Sequence, residues 1–164
     1  MARRITKRTA RSLKRTIDAD ERYGSETLQK LMNVVMWRGK KNAARKIVYD
    51  AMSVLEKKVN GDREKALDLF YKAFDQIVPV LEVRPRRVGG SVYQIPMQVQ
   101  PKRAHSLAMR WLIKSAAGRS DKTMGLRLAY ELLDANEGRG GAIKKKNDVH
   151  KMAESNRAFS HYAW

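Results

Sequence analysis

Arg84, Arg86 and Arg87 precede a Gly89-Gly90 pair, Tyr93 follows it, and no carboxylate occurs between Glu82 and Asp121. Guanidinium groups present planar forks of donors that match phosphate oxygens, and an aromatic ring beside them presents a face on which a base can stack. The chemistry on offer is the binding of a polyanion rather than the making or breaking of a bond. A second basic set opens the chain, where Arg3, Arg4, Lys7, Arg8, Arg11, Lys14 and Arg15 make seven cations in the first fifteen residues with no acid among them. A third, Lys144, Lys145 and Lys146, stands where a helix is expected to begin. Cations there oppose the helix dipole unless an anion sits beside them.

The elements that must hold these groups follow from periodicity. From Leu81 to Arg103 the pattern has a period of two: Tyr93, Ile95, Met97 and Val99 alternate with Gln94, Pro96, Gln98 and Gln100. Leu81 and Val83 share their parity, which predicts a β-hairpin over 81–103 with one apolar face. Adjacent glycines can both take positive φ, as a primed hairpin turn requires. Pro85 and Pro96 fit a two-stranded ribbon, whose strands each have an outward edge, and exclude a central strand of a wider sheet. Leu81, Val83, Ile95 and Val99 then form the anchored base, and Arg86, Arg87 and Tyr93 reach outward.

Everywhere else the period is helical. Residues 1–23 form a basic arm with no stripe wide enough to dock, expected to be disordered until it lies along phosphates. Ser25 caps a helix carrying Leu28, Leu31, Met32, Val35 and Met36. Ala43, Ala44, Ile47, Val48, Ala51, Met52 and Leu55 mark a second, ended by Asn60-Gly61. Asp62 opens a third, with Ala66, Leu69, Phe70, Ala73, Phe74 and Ile77, that stops before Pro79. After the hairpin, Leu107, Ala108, Trp111, Leu112 and Ala116 make a fourth, closed near Gly118. A fifth opens at Ser120 or Asp121, and Gly125 inside it costs about 1 kcal/mol against alanine. A sixth starts between Ala142 and Asn147 and runs toward the end with Val149, Met152, Ala153 and Phe159 as its apolar side. The fold class is therefore all-α: one bundle of about six helices over residues 24–164, with a β-arm between helices three and four and no internal repeat.

Composition narrows the function. The chain has 164 residues, 43% of them hydrophobic, enough for a real core. Thirty-five Lys and Arg against 17 Asp and Glu give +18, which points to nucleic acid. No apolar run approaches the length of a membrane span, and no apolar segment follows the basic start as in a secretory signal. The absence of cysteine rules out disulfides and thiolate metal sites and agrees with a reducing compartment.

Catalytic sets do not assemble. His150 and Glu154 are spaced i and i+4 as on one helix face, but no third metal ligand accompanies them, so they read as a surface pair. The glycine pairs lack the nucleotide-cradling patterns. Trp37, Trp111, Trp164 and the tyrosines are candidate stacking faces. Trp111 falls in an apolar stripe, which favours core packing, and Tyr93, near the basic tip, is the aromatic to test first. A DNA-bending protein would also use a basic β-arm, but with an apolar or proline wedge at its tip, where this chain has Gly-Gly. An RNA-processing enzyme would need a catalytic set that the chain lacks.

Several stretches together carry a family resemblance. They are Tyr23-Gly24-Ser25, Asn33-Val34-Val35-Met36 with Gly39-Lys40-Lys41, and Ile47-Val48-Tyr49. Arg86-Arg87-Val88-Gly89-Gly90-Ser91 with Tyr93-Gln94 follows, then Ala108-Met109-Arg110-Trp111. The closing half adds Asp121-Lys122, Leu126-Arg127-Leu128-Ala129, Lys144-Lys145-Lys146, Asp148 to Glu154 and Phe159-Ser160-His161-Tyr162. From Tyr23 to Trp164 the chain resembles small-subunit ribosomal protein S-seven of the bacterial or plastid type. It departs from that pattern in its longer basic arm, Pro85, Gly125 and Ala163.

The resemblance implies a non-enzymatic constituent of the ribosome in the cytoplasm or a plastid, with no cofactor, no small-molecule substrate and no membrane. It implies binding to the 3′ major domain of small-subunit rRNA, a part in starting assembly of the subunit head, and S-nine and S-eleven as protein neighbours. The rRNA-binding candidates are Arg3, Arg4, Lys7, Arg8, Arg11, Lys14, Lys40, Lys41, Lys102, Arg103, Arg110, Lys144, Lys145 and Lys146. The hairpin candidates, facing exit-site tRNA and the mRNA exit channel, are Arg84, Arg86, Arg87, Gly89, Gly90 and Tyr93.

Overall fold

Ser25 takes an extended conformation and its hydroxyl accepts the N–H of Leu28, which starts α1 (Glu26–Val35). The computed structural model describes residues 17–162. A reversing turn leads into α2 (Lys41–Lys58), ended by Asn60 and Gly61 at φ 59° and 84°. Asp62 accepts the N–H groups of Glu64 and Lys65 and opens α3 (Arg63–Ile77). The arm follows as β1 (Leu81–Val88) and β2 (Ser91–Gln98), then α4 (Pro101–Ala117), α5 (Met124–Asn136), α6 (Gly141–Ser155) and a short 3-10 helix (Arg157–Tyr162).

Three boundaries differ from the sequence expectation, each for a local reason. Lys102 and Arg103 lie on the first turn of α4, because Pro101 is preorganised for the first helical position. The fifth helix starts at Met124, since the Thr123 hydroxyl accepts the Leu126 N–H and neither Ser120 nor Asp121 caps it. The sixth ends at Ser155, so Phe159 belongs to the 3-10 helix and Met152 is exposed.

The helix at the centre is α5, which packs on α2, α3, α4 and α6 and buries Leu128, Ala129, Leu132 and Ala135. It meets α2 at close range. A Cβ built on Gly125 would lie 2.8 Å from the Asp50 Cβ and 3.2 Å from the Ile47 carbonyl oxygen. The glycine read as a propensity cost is what lets the two backbones meet. Around this contact Leu28, Met32, Met52, Phe70, Phe74 and Leu112 close one core.

The hairpin turns at Gly89 and Gly90 with φ of 57° and 87°, as a primed turn demands. Its register corrects the single apolar face. Arg84 pairs with Ile95, Arg86 with Tyr93 and Glu82 with Met97, so these share a face. Leu81 and Val83 pair with Gln98 and Pro96 and lie on the other face. Across a two-residue turn, odd positions on one strand meet even positions on the other, so equal parity puts residues on opposite sides. Ile95 is the buried residue of the base, seated with both strands on α6.

Asp20 anchors the chain before α1. Its carboxylate accepts the N–H groups of Arg22 and Tyr23 and the Tyr49 hydroxyl at 2.7 Å. Burial and that hydrogen bond push the Tyr49 phenol up to about 12. Tyr23 donates to Glu56 at 2.8 Å, so the segment expected to belong to an undocked arm is tied to α2 from Asp20 onward.

Candidate nucleic-acid interface

Three cationic regions can meet a polyanion, and each is positioned differently. The first is a groove of about 410 Å³ between α4 and α6, lined by Trp111, Lys114, Ser115, Gly141, Lys144, Lys145 and Asp148. Its walls approach closely because position 141 lacks a side chain: a Cβ there would meet Ser115 Oγ at 3.1 Å. Trp111 is half-buried, with its stripe in the core and its edge in this groove. Lys114 is not a candidate from sequence alone, since a lysine in a last helical turn reads as dipole compensation. The useful signal was its i, i+3 spacing from Trp111.

The anion demanded by the lysines of α6 comes from inside the protein. Glu131, 1% exposed, accepts the Ala142 N–H at 2.8 Å on the first turn of that helix. The other Glu131 oxygen takes Arg119 at 3.0 Å, and Arg119 also reaches Asp134 at 2.7 Å and Asp121 at 3.1 Å. These hydrogen bonds, with Asp134 foremost, hold the guanidinium pKa above its ordinary value. Lys146 turns away from the groove and donates to the Gln76 carbonyl at 2.5 Å. Lys144 and Lys145 remain exposed.

The second region is the arm. Glu82, 7% exposed, holds Arg84 and Arg103 at 2.8 Å each and so clamps β1 to the first turn of α4. Burial pushes its carboxyl up, but hydrogen bonds from Arg103 and Arg84 outweigh burial and leave it below the usual carboxylate range. Arg84 and Arg103 are thus engaged in fixing the arm. Tyr93 does not reach outward: its ring lies 4.5 Å from that of Phe159, so the 3-10 helix buttresses β2. Arg87 and Val92 form an exposed pair on one face near the tip, while Arg86 stands on the other. His150 on α6 accepts the Val80 N–H at 3.3 Å, just before β1. Burial, followed by the charge of Lys146, lowers its pKa and favours the neutral ring that can accept.

The third region is the turn between α1 and α2. The Lys40 N–H donates to the Trp37 carbonyl at 3.1 Å, and Arg38 and Gly39 take φ of 49° and 74°. A left-handed arginine costs about 1–2 kcal/mol. Trp37 is 75% exposed, Lys40 is exposed and Lys41 half-buried. Elsewhere Lys102 is exposed, and exposed Arg110 donates to the Ser106 carbonyl at 3.3 Å. Arg3, Arg4, Lys7, Arg8, Arg11, Lys14 and Trp164 lie outside the described residues. Among the described residues no three His, Asp or Glu side chains gather as a metal site, and no helix is long and apolar enough to cross a membrane.

Fold and surface together define a basic helical protein that exposes cations in a groove, at a turn and on a projecting β-arm. Residues 7–157 match the family described as ribosomal protein S7p/S5e, and the chain belongs to it. It is 54% identical over 149 residues to the small ribosomal subunit protein uS7 of Azotobacter vinelandii, covering 91% of this chain and 94% of that one. Against the uS7 of Bartonella tribocorum the identity is 50% over 157 residues, 96% and 99% of the two chains. The uS7 of Pseudomonas putida is 54% identical over 149 residues, with 91% and 94% covered. The family is one of structural, rRNA-binding constituents of the small ribosomal subunit and not of enzymes.

Proposed function

We propose that this chain binds the 3′ major domain of small-subunit rRNA, helps start assembly of the subunit head, and directs its arm toward exit-site tRNA and the mRNA exit channel. S-nine and S-eleven are its protein neighbours there. The observation that carries this reading is the α4/α6 groove, where Lys114, Lys144 and Lys145 outnumber Asp148 around Trp111 while the Ala142 N–H on the first turn of α6 is already taken by Glu131. These lysines are left for phosphates outside the protein. Lys40, Lys41, Lys102 and Arg110 extend the rRNA contact, with Arg103 and Lys146 shaping the bundle beneath it. At the arm, Arg86 and Arg87 lie on opposite faces of a Gly89-Gly90 tip, suited to a strand of RNA passing on either side. Arg84 and Tyr93 set the angle of the arm.

The test is reconstitution of small subunits from rRNA and purified proteins, with the wild-type chain replaced by R86A/R87A. The variant should enter subunits and leave head assembly intact while tRNA and mRNA handling at the exit side changes. Failure of the variant to enter subunits would move the tip from the tRNA side to the rRNA contact.

A further inference from the structure

The turn between α1 and α2 exposes an indole that the groove and the arm do not use. We infer that Trp37 is a stacking platform for one unpaired base of the bound RNA, with Arg38 and Lys40 holding the phosphates on either side of that base. The inference rests on the RNA-binding reading above and adds a specific contact to it.

Trp37 is 75% exposed, the most exposed of the large hydrophobic side chains among the described residues. It borders an open cleft of about 330 Å³ lined also by Val35, Ala43, Ala44 and Ile47 and by the exposed Arg38 and Lys40. The cleft is therefore apolar within and cationic at the rim, the arrangement that accepts the π-face of a base while its backbone stays among charges. No Asp or Glu occurs between Glu26 and Asp50, so nothing along this stretch of chain repels a phosphate. The backbone is held for the purpose: Arg38 sits at φ 49°, a conformation that an arginine rarely takes, in a turn closed by the Lys40 N–H on the Trp37 carbonyl. A protein ridge seated on the indole would instead leave the two rim cations without phosphates to bind.

The experiment uses the full chain and a transcript of its small-subunit rRNA at fixed salt. W37A should bind about tenfold more weakly, within the range for losing one base–aromatic stack, with its salt dependence unchanged because every cation remains. W37F should keep most of the affinity. Indole fluorescence of the wild-type chain should be quenched as RNA is added, and by less in W37F, which lacks this one indole. Thermal melting of each variant should match its parent, since the side chain is exposed. W37A binding like the wild type, W37F falling as far as W37A, or unquenched fluorescence would overturn the inference. So would a W37A variant that binds rRNA normally and fails only when other ribosomal proteins join. If the wild-type chain itself does not bind the transcript, the RNA-binding reading fails first and the stacking contact falls with it.

Discussion

The Ala142 N–H donates to Glu131 at 2.8 Å, and this bond separates what the start of α6 needs for folding from what it offers to RNA. Glu131→Ala strands that N–H and removes one of three carboxylates around Arg119, which should cost about 2 kcal/mol. Lys144→Ala/Lys145→Ala should behave in the opposite way. Removing cations from the first turns of a helix leaves stability unchanged or raises it by up to about 1 kcal/mol. Affinity for RNA should nevertheless fall and the salt dependence become shallower by nearly two phosphates. Thermal melting and salt-titrated filter binding on both variants check the separation.

Gly125→Ala tests the packing of α5 on α2. Alanine gains about 1 kcal/mol of helix propensity. A methyl 2.8 Å from the Asp50 Cβ forces the two helices apart, at a cost of about 1–3 kcal/mol. The melting temperature should drop by about 2–4 °C rather than rise. A stabilised variant would mean that α2 yields at no cost.

The arm's register makes a sharper contrast. Ile95→Asp buries an unpaired carboxylate and should cost several kcal/mol. Val92→Asp, on the face of Leu81 and Val83 and 57% exposed, should change stability by no more than about 0.5 kcal/mol. Equal losses in chemical denaturation would restore the single apolar face.

The arm also shows why part of the molecule was legible in its sequence and part was not. Gly89-Gly90 and the Asn60-Gly61 ending act through their own backbones, and Ser25 and Asp62 through side chains that reach N–H groups two or three residues on, so their types are sufficient signals. The strand faces were legible too: the two-residue Gly89-Gly90 turn sets the register, and parity must be reversed across it, which puts Leu81 opposite Gln98. Tertiary meetings carried no such mark: Gly125 with Asp50, Glu131 with Ala142, Tyr93 with Phe159. The basic runs were plain as charge, but Lys146 and Arg103 turn out to be committed to Gln76 and Glu82. Trp37 stood in the sequence as one of several aromatics, and only its exposure set it apart.

The base of the arm should respond to pH. His150 has a lowered pKa when folded, so its contribution is complete above its ordinary value of 6.5. It is lost as pH falls below that value, because the unfolded chain then takes up a proton that the folded ring resists. Glu82, also depressed, adds a second loss in the same direction at lower pH. Stability measured from about pH 7.5 down to about 5.5 should decline in the wild type and decline less in His150→Gln. An identical slope in the two proteins would remove His150 from the account.

Hydroxyl-radical footprinting of full-length small-subunit rRNA with the purified chain tests most directly the proposed binding to one defined part of that RNA. Protections should cluster within the 3′ major domain, fade in Lys144→Ala/Lys145→Ala, and weaken steeply between about 50 and 200 mM salt. Protections spread evenly over all domains, or concentrated in another one, would contradict it.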